Sequence, residues 1–441
     1  MPATPTALPR ACPACSAPLE ADERFPVWCP GCEWNLTPAT RTPDYDSPRA
    51  RRLAERRQHR NAAREQRVRA RVEQLYESLA SGAEPGPDRV WIAAAALAGL
   101  VHLVTLTAVS GSVALLCTDH WPLRILGLIG LVIAWPLRPR LGRVPRGGTV
   151  LGRGDAPALY ALADRVGAAV GAPPVDTIRA TGDFNASFGR AGMRRRSVLT
   201  IGLPLWAALT PQQRVALLGH EFGHDVNGDH RRSLWLASAM SALTEWYRFS
   251  LPTRRRSRSR KLFDQIADLL AGLARWLIRQ LVSALLDLLE TLTTRSGQRA
   301  EYHADRLAAE VASPRAAYGM LSALLLDSSA ETIRLRYRSA ARLHGSRSRR
   351  SAAAPGPDLW AEFGGMAAAL PPAELERRMR LSARQLGAVD RTHPPTHLRL
   401  RLLGTRPETE AAVLLSDAEA ELIEAELAPS RDRVARSLQT V

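Results

Sequence analysis

Apolar positions are bunched along this 441-residue chain, and the bunching divides it. Residues 91–117, "WIAAAALAGLVHLVTLTAVSGSVALLC", hold one ionisable group, His102, and exceed the ~20 residues that a bilayer crossing needs. After the turn "TDHW" a shorter apolar run covers 123–137. Trp121 and Trp135 stand there like interface anchors, and Arg124 must snorkel. The pattern predicts a transmembrane hairpin within 89–138. Two more apolar segments occupy 234–251 and 266–292, separated by "TRRRSRSRK". In the second, Asp268, Arg275, Arg279, Ser283, Asp287 and Glu290 form a polar stripe at helical intervals. That segment suits an in-plane amphipathic helix as well as a span.

Elsewhere the periodicity is that of a globular domain. Residues 155–171 read as a capped helix ending at Gly171, and 175–179, 183–189 and 197–202 read as strands. "TPQQRVALLGHEFGHDVNGD" follows. Thr210 can cap, Pro211 takes the first turn, Gln213 completes a capping box, and Asn227-Gly228 stops the helix. Val215, Leu218, Phe222 and Val226 share its apolar face. "RAEYHADRLAAEVASP" is a separate helix stopped by Pro314, and 344–357 reads as a flexible excursion. An acidic tail helix covers 416–427. The predicted domains are a cysteine-bearing ribbon (1–37), a linker and arginine-rich helix (38–88), the hairpin, a large globular domain (139–410) with an apolar insertion near 234–294, and a helical tail (411–441).

Charge sharpens the membrane reading. Basic residues outnumber acidic by 60 to 43, for a formal +17, and Lys261 is the only lysine. The positive charge is therefore permanent guanidinium, suited to an anionic surface. Arginines crowd both outer flanks of the hairpin and spare its turn, so both ends of the hairpin, and with them the amino-terminal ribbon and the globular domain that follows, are expected on the cytoplasmic side of a multi-pass cell-membrane protein. The long helix predicted up to Ala80 is either a solvated spacer or a strip attracted to lipid headgroups.

Four of the five cysteines form two Cys-x-x-Cys knuckles, Cys12/Cys15 and Cys29/Cys32. Four thiolates at that spacing suit a structural, tetrahedral zinc better than disulfides or redox pairs. No apolar segment precedes them early enough to act as a secretory signal, so a reducing cytoplasmic setting is expected.

The stretch "HEFGH" places His220 and His224 one helical turn apart with Glu221 between them. Both imidazoles can reach one zinc ion while the glutamate faces the attacking water as general base. Alone, the pattern competes evenly with two histidines on a helix surface. A catalytic ion needs a third protein ligand, and Glu301 of "EYHAD" is the candidate, with Asp305 one turn further on to orient a ligand.

The ordered set "NAxxG", "TPxxxxAxxxHExGHxxxxD", two apolar helices, "ExxAD" and "THPPTxxR" resembles the HtpX and CAAX prenyl endopeptidase family of membrane-bound gluzincin zinc metallopeptidases, over about 155–403. The resemblance implies an α+β, mostly helical, zincin-like fold with a small mixed sheet carrying an edge strand above the HExxH helix. It implies catalytic zinc on His220, His224 and Glu301, Glu221 as general base, and Asp305 supporting the ligands. Asn185, Ala186, Ser187, Phe188 and Gly189 match the edge strand that pairs with an extended peptide. His393 matches a histidine that steadies the oxyanion. His303 and His397 receive no role. Polypeptide substrate and membrane lipid are the expected partners, with zinc as the only cofactor, one ion catalytic and one structural. The alternative is an inert membrane-tethered scaffold whose ribbon and arginines bind nucleic acid; the intact ligand set counts against it.

Overall fold

The computed structural model describes residues 11–20, 22–37, 47–81, 89–135, 147–191, 195–227, 229–251, 262–347, 358–384 and 394–440. In chain order the elements are α1 (Pro48–Ala80), α2 (Arg89–Leu116), α3 (Trp121–Ala134), β1 (Thr149–Leu151), α4 (Pro157–Val170), β2 (Thr177–Thr181), β3 (Ala186–Ala191), β4 (Arg196–Gly202), α5 (Leu203–Ala208), α6 (Pro211–Val226), α7 (Asp229–Phe249), α8 (Leu262–Ala312), α9 (Pro314–Leu324), α10 (Asp327–Arg347), α11 (Leu359–Gly365), α12 (Pro372–Arg384), α13 (Thr396–Gly404) and α14 (Asp417–Thr440). The architecture is the expected one: mostly helical, with one small mixed sheet.

The sheet runs β1-β2-β4-β3. β2 and β4 pair in parallel, while β1 and β3 add antiparallel at the two sides, which leaves β3 at an edge. Ile178, Ala180, Leu199 and Ile201 are buried on one face, in a core shared with Leu159, Leu162 and Val166 of α4 and Val215, Leu218 and Phe222 of α6. Val226, the last apolar residue of the expected stripe, is instead exposed at the end of α6. The opening turn of α4 has no capping side chain of its own. Glu426 of α14 supplies one, accepting hydrogen bonds from Ala158 N–H at 2.7 Å and Leu159 N–H at 3.0 Å. A carboxylate there also suits the positive end of the helix dipole.

α2 and α8 are the two described helices long and apolar enough to cross a membrane, by length and composition; α3 is apolar but shorter. α2 and α3 approach closely where Gly127 and Gly130 face Ser112, small residues that let two backbones come together. α2 also packs on α7 and α8 through Ala94, Ala98 and Val101 against Leu236, Ala239, Leu243, Val282 and Leu289. His102, the lone ionisable group of the first apolar run, is used in that packing. Its Nε2 lies 3.1 Å from Ser238 Oγ and 3.2 Å from the Trp235 carbonyl.

Two sequence expectations give way. The helix around Glu301 is not separate but the end of the 51-residue α8. Nothing between the apolar run and Glu301 breaks a helix except Gly297, and one interior glycine costs only about 1 kcal/mol. The first residues of the excursion expected over 344–357 are instead helical, because α10 continues through Arg347; residues 348–357 lie outside the described set.

Candidate metal centre and substrate edge

α6 starts where its sequence says it should. Gln213 Oε1 accepts from Thr210 N–H at 3.0 Å, and Pro211 fills the first turn. Two glycines then set the distance to α8. A Cβ on Gly223 would lie 3.0 Å from Ala304 Cα, and one on Gly219 would lie 3.3 Å from Ala308 Cα. Larger residues on either helix would force the pair apart, so the small residues flanking His220 bring Glu301 within its reach.

The ligand atoms of His220, His224 and Glu301 all lie within 4.8 Å of one another. His220 Nε2 is 3.6 Å from Glu301 Oε2, and His224 Nε2 is 3.5 Å from Glu301 Oε1. Ligands held at zinc's usual bond lengths of ~2.0–2.1 Å in a tetrahedron are separated by roughly 3.3 Å, so the donor set fits the ion. Charge agrees. Glu301, Asp305 and Arg399 are buried together, one guanidinium against two carboxylates, leaving a net negative charge that a divalent cation would neutralise.

Asp305 lies 3.1 Å from His220 Nδ1. A carboxylate there favours the proton on Nδ1 and leaves the Nε2 lone pair facing Glu301. Arg399 clamps Asp305 with two hydrogen bonds of 2.7 and 2.6 Å and stands 3.1 Å from Glu301 Oε2. Burial alone would push the Asp305 carboxyl up, but the Arg399 charge and hydrogen bonds prevail and hold it below the usual carboxylate range. In turn, Asp305 and Glu301 outweigh the burial of Arg399 and raise its pKa. Sequence reasoning gave Arg399 no role. The available signal was its place as the last residue of "THPPTHLR".

Above α6 runs the free edge of β3. Asn185, just before the strand, passes its carbonyl to Gly202 N–H inside the sheet at 2.9 Å. Phe188 N–H points the other way and donates to Glu221 Oε2 at 3.0 Å. Glu221 thus sits between the histidines and the strand edge. Two more contacts fasten strand to helix: the Phe188 ring meets Phe222 edge-on at 5.1 Å, and Arg190 forks onto Asp225 at 2.9 and 2.7 Å. Neither Arg190 nor Asp225 was singled out from the sequence. Ala186, Ser187 and Gly189 lie on the same strand. His393 falls outside the described residues.

Cys12, Cys15, Cys29 and Cys32 form a second cluster, also within 4.8 Å. Sγ separations are 3.5 Å for Cys12–Cys32 and 3.6 Å for Cys15–Cys29. Hydrogen bonding from the Cys32 backbone N–H draws the Cys29 thiol down to about 7, whereas at Cys32 the Trp34 N–H is outweighed by burial and the other thiols, which push it up to about 12, so Cys29 is the thiolate most readily formed in the set. This zinc-ribbon cluster docks on α12: Trp28 Nε1–H donates to the Ala373 carbonyl at 3.1 Å, and Arg377 and Arg380 donate to the Leu36 and Pro30 carbonyls at 3.2 and 2.6 Å.

A short sheet with a free edge, a helix beneath it carrying two histidines and a glutamate, and a second helix supplying a carboxylate make up the architecture of a gluzincin-type metallopeptidase. The chain belongs to peptidase family M48, whose family model matches residues 158–406. No curated protein matches the chain. Family membership supports a zinc metallopeptidase activity on polypeptides.

Proposed function

We propose that this protein is a membrane-anchored zinc endopeptidase acting on membrane or membrane-associated proteins, with its ribbon and catalytic domain on the cytoplasmic side. The observation that carries the reading is the convergence of His220, His224 and Glu301 directly below a free strand edge. Those three residues would hold the catalytic ion, and the four ribbon cysteines a structural one. Zinc at the first site supplies Lewis-acid chemistry, acidifying a water and polarising an amide carbonyl.

The chain's own groups do the rest. The outward backbone groups of β3 bind an extended substrate as an added strand, which gives affinity with little sequence preference. Glu221, whose carboxylate stands beside Phe188 N–H, takes the proton of the attacking water and delivers it to the leaving amine. Asp305 and Arg399 hold His220 and Glu301 in register. His393 completes the set as donor to the developing oxyanion. The anchor comprises the α2–α3 hairpin with the apolar part of α8 beside it. Exposed Leu103, Leu106, Leu128, Val132, Leu273 and Leu281 face the hydrocarbon. The ribbon, arginine-rich helix, hairpin, peptidase domain and tail serve as the units of the chain in that order.

The test is made on full-length protein in detergent. A strong chelator should abolish cleavage of an unstructured peptide, and Glu221→Gln should abolish it while two zinc ions per chain remain. Parental cleavage by Glu221→Gln would refute the mechanism.

A further inference from the structure

The two faces of the sheet differ in kind. The face toward α4 and α6 is apolar and buried, whereas the opposite face carries a polar row across three strands. Arg179 of β2 pairs with Thr200 of β4, which pairs with Ser187 of β3, and residues directly opposite on neighbouring strands share a face. Arg179, Thr200, Ser187, Thr181 and Asp183 line a pocket of about 350 Å³ whose remaining wall is glycine. Gly148 is part of that wall: φ is +76°, and a Cβ there would lie 2.7 Å from the Ala180 carbonyl oxygen.

Arg179 is the anomaly. It is only 3% exposed, yet no ion pair or hydrogen bond satisfies its guanidinium among the described residues, although Arg190, Arg377 and Arg399 each have a carboxylate partner. Its guanidinium nitrogens are not among the polar atoms sealed from solvent, so the charge opens into the pocket and faces any anion that enters it. Thr200 and Ser187 add hydroxyls beside it that are likewise uncommitted within the described residues.

We propose that this pocket binds a phosphate group, and that its ligand is a singly charged phosphodiester of a phospholipid headgroup. A guanidinium flanked by hydroxyls is a phosphate-binding set. The charge count selects the diester, because the exposed Asp183 carboxylate at the rim opposes a dianion. Position in the chain selects the lipid. The pocket wall at Gly147 and Gly148 follows α3 after one short connection that carries Arg138, Arg140, Arg143 and Arg146. Juxtamembrane arginines concentrate anionic lipid. The lipid source rests on the anchoring proposed above; the phosphate site does not, and it is remote in kind from the metal centre on the other face.

The experiment uses full-length protein in an uncharged detergent and follows the midpoint of thermal unfolding. Soluble glycerophosphoglycerol is the diester probe and inorganic phosphate the dianion probe. Near ten times its half-saturating concentration, the diester should raise the midpoint by about 2 °C. Arg179→Met should unfold near the parental temperature without ligand and should show no shift. Thr200→Val, which preserves shape, should need several-fold more diester for the same shift. An equal or larger shift with inorganic phosphate overturns the headgroup assignment in favour of a soluble phosphate. No shift with either probe, or an undiminished shift in both variants, overturns the site. None of these outcomes depends on peptidase activity, so failure here is distinct from failure of the Glu221→Gln test.

Discussion

The two candidate metal clusters are built in opposite ways. The four cysteines come from one short stretch, Cys12 to Cys32, and two tight turns suffice to gather them. The peptidase cluster takes its histidines from α6 and its carboxylate from the far end of α8, and nothing local brings these together. Packing does so, through Gly219 and Gly223 against Ala304 and Ala308. One site is therefore a property of sequence spacing, and the other a property of a helix interface. The ribbon should survive damage to the peptidase core, while the peptidase centre should answer to every change in that interface.

The largest separation is expected from Glu301→Ala. Zinc should fall from two ions to one per chain and peptide cleavage to background, with ribbon metal retained; metal analysis beside a peptidase assay checks it. Arg399→Met strikes the same site without touching the ion. It leaves Asp305 buried without its guanidinium, at a cost of roughly 3–5 kcal/mol, and should weaken zinc binding or activity about 10–100-fold, as loss of ligand support does. Metal competition and denaturant titration measure the two effects.

Cys29→Ser is the converse change. It should remove the ribbon ion and loosen the contacts of Trp28, Leu36 and Pro30 with α12, leaving the other ion bound and activity within a few-fold. Hydrogen exchange across α12 would register the loosening, and loss of both ions would contradict the independence of the sites. The smallest effect concerns His397, under α1. Burial, then Arg69 and Arg401, lower its pKa from 6.5 to about 4. The folded protein resists a proton that the unfolded chain accepts, so stability present above pH 6.5 is lost as pH falls toward 4. Subtracting the stability profile of His397→Asn from that of the parent should isolate this slope.

Much of the centre could be read before any coordinates. His220, Glu221 and His224 lie on one helix whose start is written in Thr210, Pro211 and Gln213, and Glu301, which the fold brings beside them, was reachable as the candidate third ligand. Arg399, Arg190 and Asp225 were not, because an arginine's role depends on which carboxylate the fold places beside it. Likewise the apolar segments were visible as lengths of greasy helix. That His102 would turn toward Ser238 of α7, or that the apolar run would continue unbroken through Glu301 as one helix, α8, was not visible.

By itself the sequence determined what is set within a turn or two of backbone: the cysteine knuckles, the histidine spacing, the helix caps and the lengths of the apolar runs. Only the tertiary structure decided which edge of the sheet lies over Glu221, how near α8 comes to α6, and which buried charges find partners. The physical reason is range. Hydrogen-bonded turns and helical periodicity act between neighbours, whereas packing and charge pairing act between groups that the chain brings together only by folding.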